Sequence, residues 1–381
     1  MRKWIVLAIT LAGGCDSSSP ANLPDGAAPP GEPTLSLGAQ MPQAGAGALL
    51  FGVPGDFNGD GKLDVAEWST AGKLAVANGD GAGALQVGVP GASLQIQAND
   101  GTGGDVNGDG KPDVVVGGTA QMGNVFVFLG QPDGSLRAQP PMVSQSLVDR
   151  VLVRDLDGDG KGEIITANHE STVSVFPGAG GARADYPLPH VPTALAIADL
   201  DGDGKLDLVV GSFYNNPTFV DVFLGTGGGK LAAGASLPIG DGVIREIAIV
   251  DLDKDGKLDL VLGQGNTNGA KVSIALGKGD GTFTLLPGLE TGGSVTGMVV
   301  ADFNGGGRLD VATANVPGAG PPFLTLMLGR GDGTLASPVR FDPDVVNGDA
   351  HALAPGDFNG DGKPDLFTIA QSPSVILNTS H

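Results

Sequence analysis

The chain has 381 residues, including 66 Gly and 27 Pro, with 42 acidic against 21 basic side chains for a formal charge of −21. Glycine and proline approach the level of low-complexity disorder, but a hydrophobic content of 41% with only 17% charged residues provides the apolar surface a folded chain needs. The acidic balance excludes nucleic acid and basic-patch membrane binding, and a single Cys excludes an internal disulfide framework and any Cys-based zinc or iron–sulfur cluster.

Arg2 and Lys3 precede an apolar run over residues 4–12 that is too short to span a bilayer, and Gly13, Gly14 and Cys15 follow at once. A basic start, a short apolar stretch and small residues at its end describe an export signal over residues 1–14. Leu11-Ala12-Gly13-Gly14-Cys15 resembles a bacterial lipobox, with Ala12 where Leu is more usual. That resemblance implies lipidation of Cys15, a flexible tether over 15–33 rich in Ser, Pro, Gly and Ala, and an exported protein held to the periplasmic or outer face of a bacterial envelope by lipid alone. An ordinary secretory signal with a spare cysteine is the alternative. No later stretch reaches the roughly 18 consecutive apolar residues of a membrane span.

From residue 34 onward the sequence repeats. The pattern Asp-x-[Asn/Asp]-Gly-Asp-Gly-Lys-x-Asp starts at Asp56, Asp105, Asp155, Asp199, Asp251, Asp302 and Asp357, at intervals of 44 to 55 residues. A second mark is an apolar run ending in Leu-Gly and leading into Gly-Asp-Gly-Thr, as in Leu276-Gly277-Lys278-Gly279-Asp280-Gly281-Thr282, which is hairpin chemistry. Each period holds four short apolar runs; in the fourth they are 193–198, 206–211, 219–224 and 230–237. No period has room for a 10-residue amphipathic helix. Four strands per unit and seven units predict an all-β fold, a seven-bladed β-propeller over 34–381. The last unit supplies only two strands after its loop, whereas residues 34–41 form a spare strand before the first loop. That strand is expected to pair beside 375–378, completing blade seven and closing the ring.

The repeated loops offer oxygen ligands only. In the first, Asp56, Asn58, Asp60 and Asp64 present side-chain oxygens at positions 1, 3, 5 and 9, and Lys62 at position 7 its backbone carbonyl. Equivalent sets are Asp105, Asn107, Asp109, Lys111 and Asp113; Asp155, Asp157, Asp159, Lys161 and Glu163; Asp199, Asp201, Asp203, Lys205 and Asp207. The remaining sets are Asp251, Asp253, Asp255, Lys257 and Asp259; Asp302, Asn304, Arg308 and Asp310; and Asp357, Asn359, Asp361, Lys363 and Asp365. Hard oxygen donors without His or Cys select a hard cation, and the number of donors suits Ca²⁺ better than octahedral Mg²⁺. An EF-hand would need a Glu at position 12 and a following helix, whereas a strand follows here. An Asx-turn hairpin without metal would carry one Asp per turn, not several converging carboxylates. Six to seven structural Ca²⁺ ions are expected. The sixth loop, where Gly306 replaces the position-5 acid, should be the weakest site. More than half of the 42 acids fall in these loops, so the charge of −21 is largely unfilled metal valence.

The loops and the Leu-Gly-x-Gly-Asp-Gly-Thr hairpins together resemble the FG-GAP / VCBS repeat family, which includes the N-terminal propellers of integrin α subunits. The resemblance implies that each calcium loop joins the first and second strands of a blade on one face of the disc, and that partners bind the opposite face. It does not fix the function.

No enzymatic constellation accompanies the repeats. His169, His190, His351 and His381 lie in no zinc or nucleophile motif, His169 and His190 read as solvated loop residues, and no Gly-x-Ser-x-Gly elbow is present. The expected function is non-catalytic: a calcium-stabilised envelope propeller that binds a protein, with a lectin-like propeller as the alternative. Candidate partner residues on the face away from the acidic loops are Trp68, His169, Phe213 and Tyr214, from loops 68–73, 168–172 and 212–218, with 349–351 beside them. Arg330-Gly331-Asp332 aligns with Lys278-Gly279-Asp280 and is read as hairpin consensus, not as an adhesive tripeptide.

Overall fold

The second strand of each of the first six blades is buried at nearly every position, polar residues included, and in Asp207–Phe213 six of seven residues are buried. Successive side chains of a strand point to opposite faces, so such a run must be covered on both sides. Leu208 and Val210 pack with Ile165 and Val175 of the preceding unit, whereas Val209 packs with Ile244 and Leu260 of the following one. Each unit is therefore a blade held between two neighbours.

The protein is described by a computed structural model over residues 37–42, 49–93, 97–119, 124–178, 182–213, 217–265, 270–341, 352–369 and 374–378. Blade four comprises Val191–Ala198, Asp207–Phe213, Thr218–Gly227 and Lys230–Gly240, hydrogen-bonded antiparallel in that order, each within a few residues of its predicted bounds. Seven such sheets form the molecule, an all-β propeller without a helix among the described residues. Two blades interrupt their outer strand, into Leu136–Ala138 and Met142–Val143 and into Phe283–Leu285 and Leu289–Glu290. Pro140, Pro141 and Pro287 fall in the breaks, where a residue without an N–H cannot continue the ladder.

Seven apolar clusters lie one between each adjacent pair of blades. The cluster that joins the ends of the chain packs Ala354, Phe367 and Val375 of blade seven against Leu49, Val65 and Ala77 of blade one. Leu37–Pro42 pairs antiparallel with Ser374–Asn378, with Gln40 opposite Ile376, as the outermost strand of blade seven. Residues 34–36, the export signal with Cys15, and the tether lie outside the described residues.

The first strands of successive blades neighbour one another around the axis. Six of them carry a register shift near their start, between Leu49 and Phe51, Ala98 and Asp100, Val148 and Arg150, Pro192 and Ala194, Ile244 and Glu246, and Val295 and Gly297. A bulge re-aims the side chains beside it, and here it builds a belt of contacts between blades. Asn99 donates to the Val148 carbonyl at 3.0 Å, Val151 N–H donates to Asp100 at 2.7 Å, and Thr193 Oγ1 donates to the Ile244 carbonyl at 2.6 Å. Arg150 crosses blade four, donating to the carbonyls of Thr193 and Arg245 at 2.9 Å each, and ends 3.5 Å from Glu246.

Burial pushes the Glu246 carboxyl up to about 8, with Asp100 adding to the rise and Arg150 and Arg245 opposing it. The folded protein thus holds this proton more tightly than the unfolded chain. The stability so gained is complete below the ordinary carboxyl value of 4.5 and is lost as pH rises through about 8. Glu246→Gln should therefore flatten the fall in stability between those limits, a change that urea titration across this pH range would detect.

Candidate metal centres

Each acidic loop joins the first strand of a blade to the second and is wound by its own carboxylates. In the first loop Asp56 accepts from the N–H groups of Gly59, Asp60 and Gly61 at 2.7, 3.1 and 2.9 Å. Asn58 Oδ1 accepts from Asp60 N–H at 2.8 Å and Asp60 Oδ1 from Lys62 N–H at 2.9 Å. Position 6 is left-handed in all seven loops, with φ between 73° and 85°, which explains its glycine. Position 4 is left-handed as well and carries Gly in six loops but Lys254, at φ 61°, in the fifth. These Asx turns hold the side chains of positions 1, 3 and 5 at the rim of one face, where a cation can reach them, except that Asn304 of the sixth loop is buried.

Position 9 has a different environment. Asp64, Asp113, Glu163, Asp207, Asp259, Asp310 and Asp365 are all buried, at 4% exposure or less, at the start of the second strand. One oxygen of Asp259 accepts from Leu252 N–H of its own loop at 2.9 Å, and the other accepts from Gly277 N–H at the end of the third strand at 2.8 Å. The same clamp recurs from Asp64 to Phe57 and Gly79, from Asp113 to Val106 and Gly130, and from Asp365 to Phe358 and Asn378. The glycine of Leu-Gly is required by the same joint: a Cβ on Gly277 would stand 2.0 Å from the Leu258 carbonyl oxygen. Position 2, treated as variable in the sequence pattern, is Phe57, Val106, Leu156, Leu200, Leu252, Phe303 or Phe358, and each is buried. These residues anchor the loops in the interblade core, and the uniform presence of a large apolar residue was the signal for them.

Carboxylates converge most closely where the loop is richest in acids. Oxygens of Asp199, Asp201 and Asp203, and of Asp251, Asp253 and Asp255, lie within 4.8 Å of one another. In the third loop the group is Asp155, Asp157 and Glu163. The longer Glu163 keeps its bond from Leu156 N–H at 2.6 Å but lets that from Gly178 stretch to 3.5 Å. Several of these acidic clusters could hold a metal ion. Without one, burial holds the position-9 carboxyls above the usual range, Asp113 and Asp310 to about 6, and neighbouring loop carboxylates add to the rise. The Lys at position 7, expected to supply its carbonyl, also turns its ammonium onto the position-5 acid. Lys111 lies 3.0 Å from Asp109 and Lys62 3.8 Å from Asp60, and Lys205 and Lys257 pair in the same way with Asp203 and Asp255. Hydrogen bonds from Lys111, Lys205 and Lys257 hold Asp109, Asp203 and Asp255 below the ordinary carboxylate range, although exposed pairs of this kind stabilise little. In the sixth loop Gly306 N–H still bonds Asp302 and Asn304, at 3.0 and 2.8 Å, so the loop keeps its shape without the missing acid.

The residues expected on the partner face fare differently. Trp68 is fully buried, stacked on Phe51 with ring centres 5.9 Å apart and packed against Phe128 of blade two, so its ring cannot meet a partner. It is the penultimate residue of a second strand, Asp64–Ser69, that is buried throughout. His190, expected to be solvated, is 14% exposed, stacked on Phe219 and 3.0 Å from Asp221. His169 is exposed at its ring and lies 2.8 Å from Asp149, and Phe213 is half-buried at its strand end. Tyr214 and 349–351 lie outside the described residues.

Consecutive stretches 56–116, 105–166, 155–210, 199–262, 251–313 and 302–368 match the FG-GAP-like repeat. The chain belongs to the FG-GAP-like repeat family. Each stretch runs from the first Asp of one loop into the second strand after the next, so the FG-GAP-like sequence unit straddles a blade boundary instead of coinciding with a blade. Comparison with curated proteins finds no match in sequence. Among solved structures, BBS1N in complex with ARL6DN, soaked with mercury, is similar at 13% identity and a TM-score of 0.62, covering 91% of this chain and 97% of that one. Sqt1 of Saccharomyces cerevisiae is similar at 14% identity and a TM-score of 0.55, with 84% and 82% covered. At these identities the likeness concerns the fold.

Proposed function

We propose that this FG-GAP-like propeller is stabilised by Ca²⁺ in its acidic loops and serves as a non-catalytic module that binds a protein on the opposite face. The observation that carries the metal is the convergence of three carboxylates in each of the third, fourth and fifth loops, all oxygen donors. Like charges held this close together are unfavourable unless a cation compensates. The fold fits an interaction module, and a propeller of similar shape, BBS1N, is solved in complex with ARL6DN. Burial of Trp68 removes the one tryptophan of the repeat region on which a sugar could have stacked, which favours a protein over a glycan. Cys15 is proposed as the lipid anchor that places the module in a bacterial envelope; labelled palmitate should enter the chain and be lost from Cys15→Ser.

Metal analysis of the purified protein should return six to seven Ca²⁺ per chain, and a count near zero would dismiss calcium. In Gly306→Asp the new Cβ would stand 2.8 Å from the Asn304 side-chain oxygen and meet no backbone, so the acid is accommodated by a shift of the Asn304 side chain. That variant should tighten calcium binding in the sixth loop and complete the count at seven. Affinity capture from envelope extracts with and without a chelator tests the interaction reading. Calcium-dependent recovery of one protein is expected; retention of polysaccharide instead would replace it with a lectin.

A further inference from the structure

The Gly-Asp-Gly hairpin, the second repeated mark of the sequence, joins the third and fourth strands and stands on the same face as the acidic loops, because the third strand runs back toward them. Its glycines do more than turn the chain. The first lies on the stem of the position-7 residue of its own loop: a Cβ on Gly279 would stand 3.1 Å from Lys257 Cδ, and one on Gly331 3.1 Å from Arg308 Cδ. The last reaches across the blade boundary. A Cβ on Gly134 of blade two would stand 3.2 Å from Asn58 Cβ and 3.4 Å from Asn58 Cα, in the acidic loop of blade one. A Cβ on Gly333 of blade six would stand 2.6 Å from Leu276 Cδ2 and 3.4 Å from Asp253 Cβ, both of blade five. One on Gly229 of blade four would lie 4.0 Å from Asp157 Cβ in the loop of blade three, whereas in blade five Gly281 meets only Leu224 of blade four, at 2.8 Å.

Asn58, Asp157 and Asp253 all occupy position 3 of their loops. That position also sets its neighbour: Asn58 Oδ1 accepts from Asp60 N–H at 2.8 Å, and Asp157 and Asp253 accept from Asp159 and Asp255 N–H at 3.1 Å each. A small displacement of position 3 therefore moves the oxygens of positions 3 and 5 together. The hairpin that rests on it is firm, since Gln131 N–H donates to the Ser135 carbonyl at 2.9 Å and Gly134 N–H to the Gln131 carbonyl at 3.0 Å. A left-handed φ of 77° explains the glycine at 134 by conformation, but it does not require three such glycines to sit on one loop position of the preceding blade. Loops also meet directly: a Cβ on Gly108, at position 4 of the second, would stand 3.1 Å from the Gly160 carbonyl oxygen of the third.

Groups that orient a metal ligand without touching the metal contribute to its affinity. We propose that the first, third and fifth loops hold calcium across a blade boundary: Gly134, Gly229 and Gly333 of the next blade are positioning residues that seat the position-3 ligand, and the bound ion in turn fastens that hairpin to its neighbour. Coupling of this kind is reciprocal, so whatever the docked hairpin adds to calcium affinity the ion returns as stability of the contact between blades. The coupling rests on calcium occupying the loops, as proposed above, and needs no protein partner.

The test titrates the full chain, isotope-labelled at glycine, with calcium chloride and follows the N–H resonances of Gly61 and Gly110, at position 6 of the first and second loops, each identified by its loss on substitution with Asn. In Gly134→Ala the affinity at Gly61 should fall about tenfold, while that at Gly110, in the blade that carries the substitution, stays unchanged. An equal fall at both, or none at Gly61, overturns the coupling and leaves calcium in place. Wild-type resonances that calcium does not move dismiss calcium itself, and the coupling with it. Hydrogen exchange decides the matter even if Gly134→Ala does not fold. Exchange at Gln131 N–H of blade two should slow severalfold when calcium is added to the wild-type chain, and Asp60→Ala, which removes a proposed ligand from the first loop alone, should cancel much of that slowing. Slowing that survives Asp60→Ala in full refutes the proposal.

Discussion

Deletion of residues 34–41 is expected to lower the melting temperature of the whole propeller in one cooperative transition. Leu37–Pro42 is the only hydrogen-bonded neighbour on the outer side of Ser374–Asn378 among the described residues. That strand serves two interfaces at once: Ile376 packs with Val299 and Leu324 of blade six, and Val375 packs with Leu49 and Val65 of blade one. Its last residue, Asn378, donates from its backbone to Asp365 at 2.7 Å and from its side chain to the Phe303 carbonyl of blade six, also at 2.7 Å. Removing the outer ladder leaves this strand held on one side only. At about 1 kcal/mol for each ladder hydrogen bond lost, the direct effect is on the order of 3–4 kcal/mol. With about 2–4 °C per kcal/mol as an upper guide for a chain of this length, the melt should move by several degrees. The response should be global, because loosening Ser374–Asn378 weakens the contacts of blade seven with both blade six and blade one, and each blade relies on its neighbours for cover. Scanning calorimetry distinguishes the outcomes: one transition at lower temperature supports closure by the N-terminal strand, whereas an unchanged melt refutes it.

Much of this fold is visible along the chain because its determinants are local. Asp56, Asn58, Asp60 and Gly61 act within a single turn, so spacing alone reveals them, and the period of the loops counts the blades. What spacing cannot reveal is contact across the repeat. The partner of Asp259 is Gly277, 18 residues away on the third strand, so position 9 reads as one more ligand along the sequence whereas the structure makes it a joint between strands. Trp68 stands beside the Ser69-Thr70 turn and reads as a loop residue, but Phe51 stacks on its ring and Phe128 packs against it. The contact between Arg150 and Glu246 is less legible still, since the two are 96 residues apart and meet only across blade four. Apolar patterning also undervalued position 2 of the loops, where residues as different as Val106 and Phe303 share one environment.

Asp259→Ala and Asp255→Ala, two substitutions in one loop, should separate the joint from the metal site. Asp255, at position 5, is exposed on the rim, and its loss removes a proposed ligand without uncovering any buried group. Its effect on stability should appear only when calcium is present and vanish in excess chelator. Asp259 is 1% exposed and accepts from Leu252 and Gly277 at once, tying the loop to the third strand. Alanine there leaves two backbone donors without their acceptor, at about 1–3 kcal/mol each, a loss that persists with or without metal. Asp259→Asn keeps one accepting oxygen and should recover part of it. Chemical denaturation of the three variants, with calcium and with chelator, gives the comparison. If Asp259→Ala and Asp255→Ala lose the same stability, and both only with calcium, position 9 is a ligand alone. If Asp259→Ala is the more damaging in chelator, the carboxylate that helps to bind the cation also fastens the first three strands of the blade, and filling the loop would stiffen the blade through that residue.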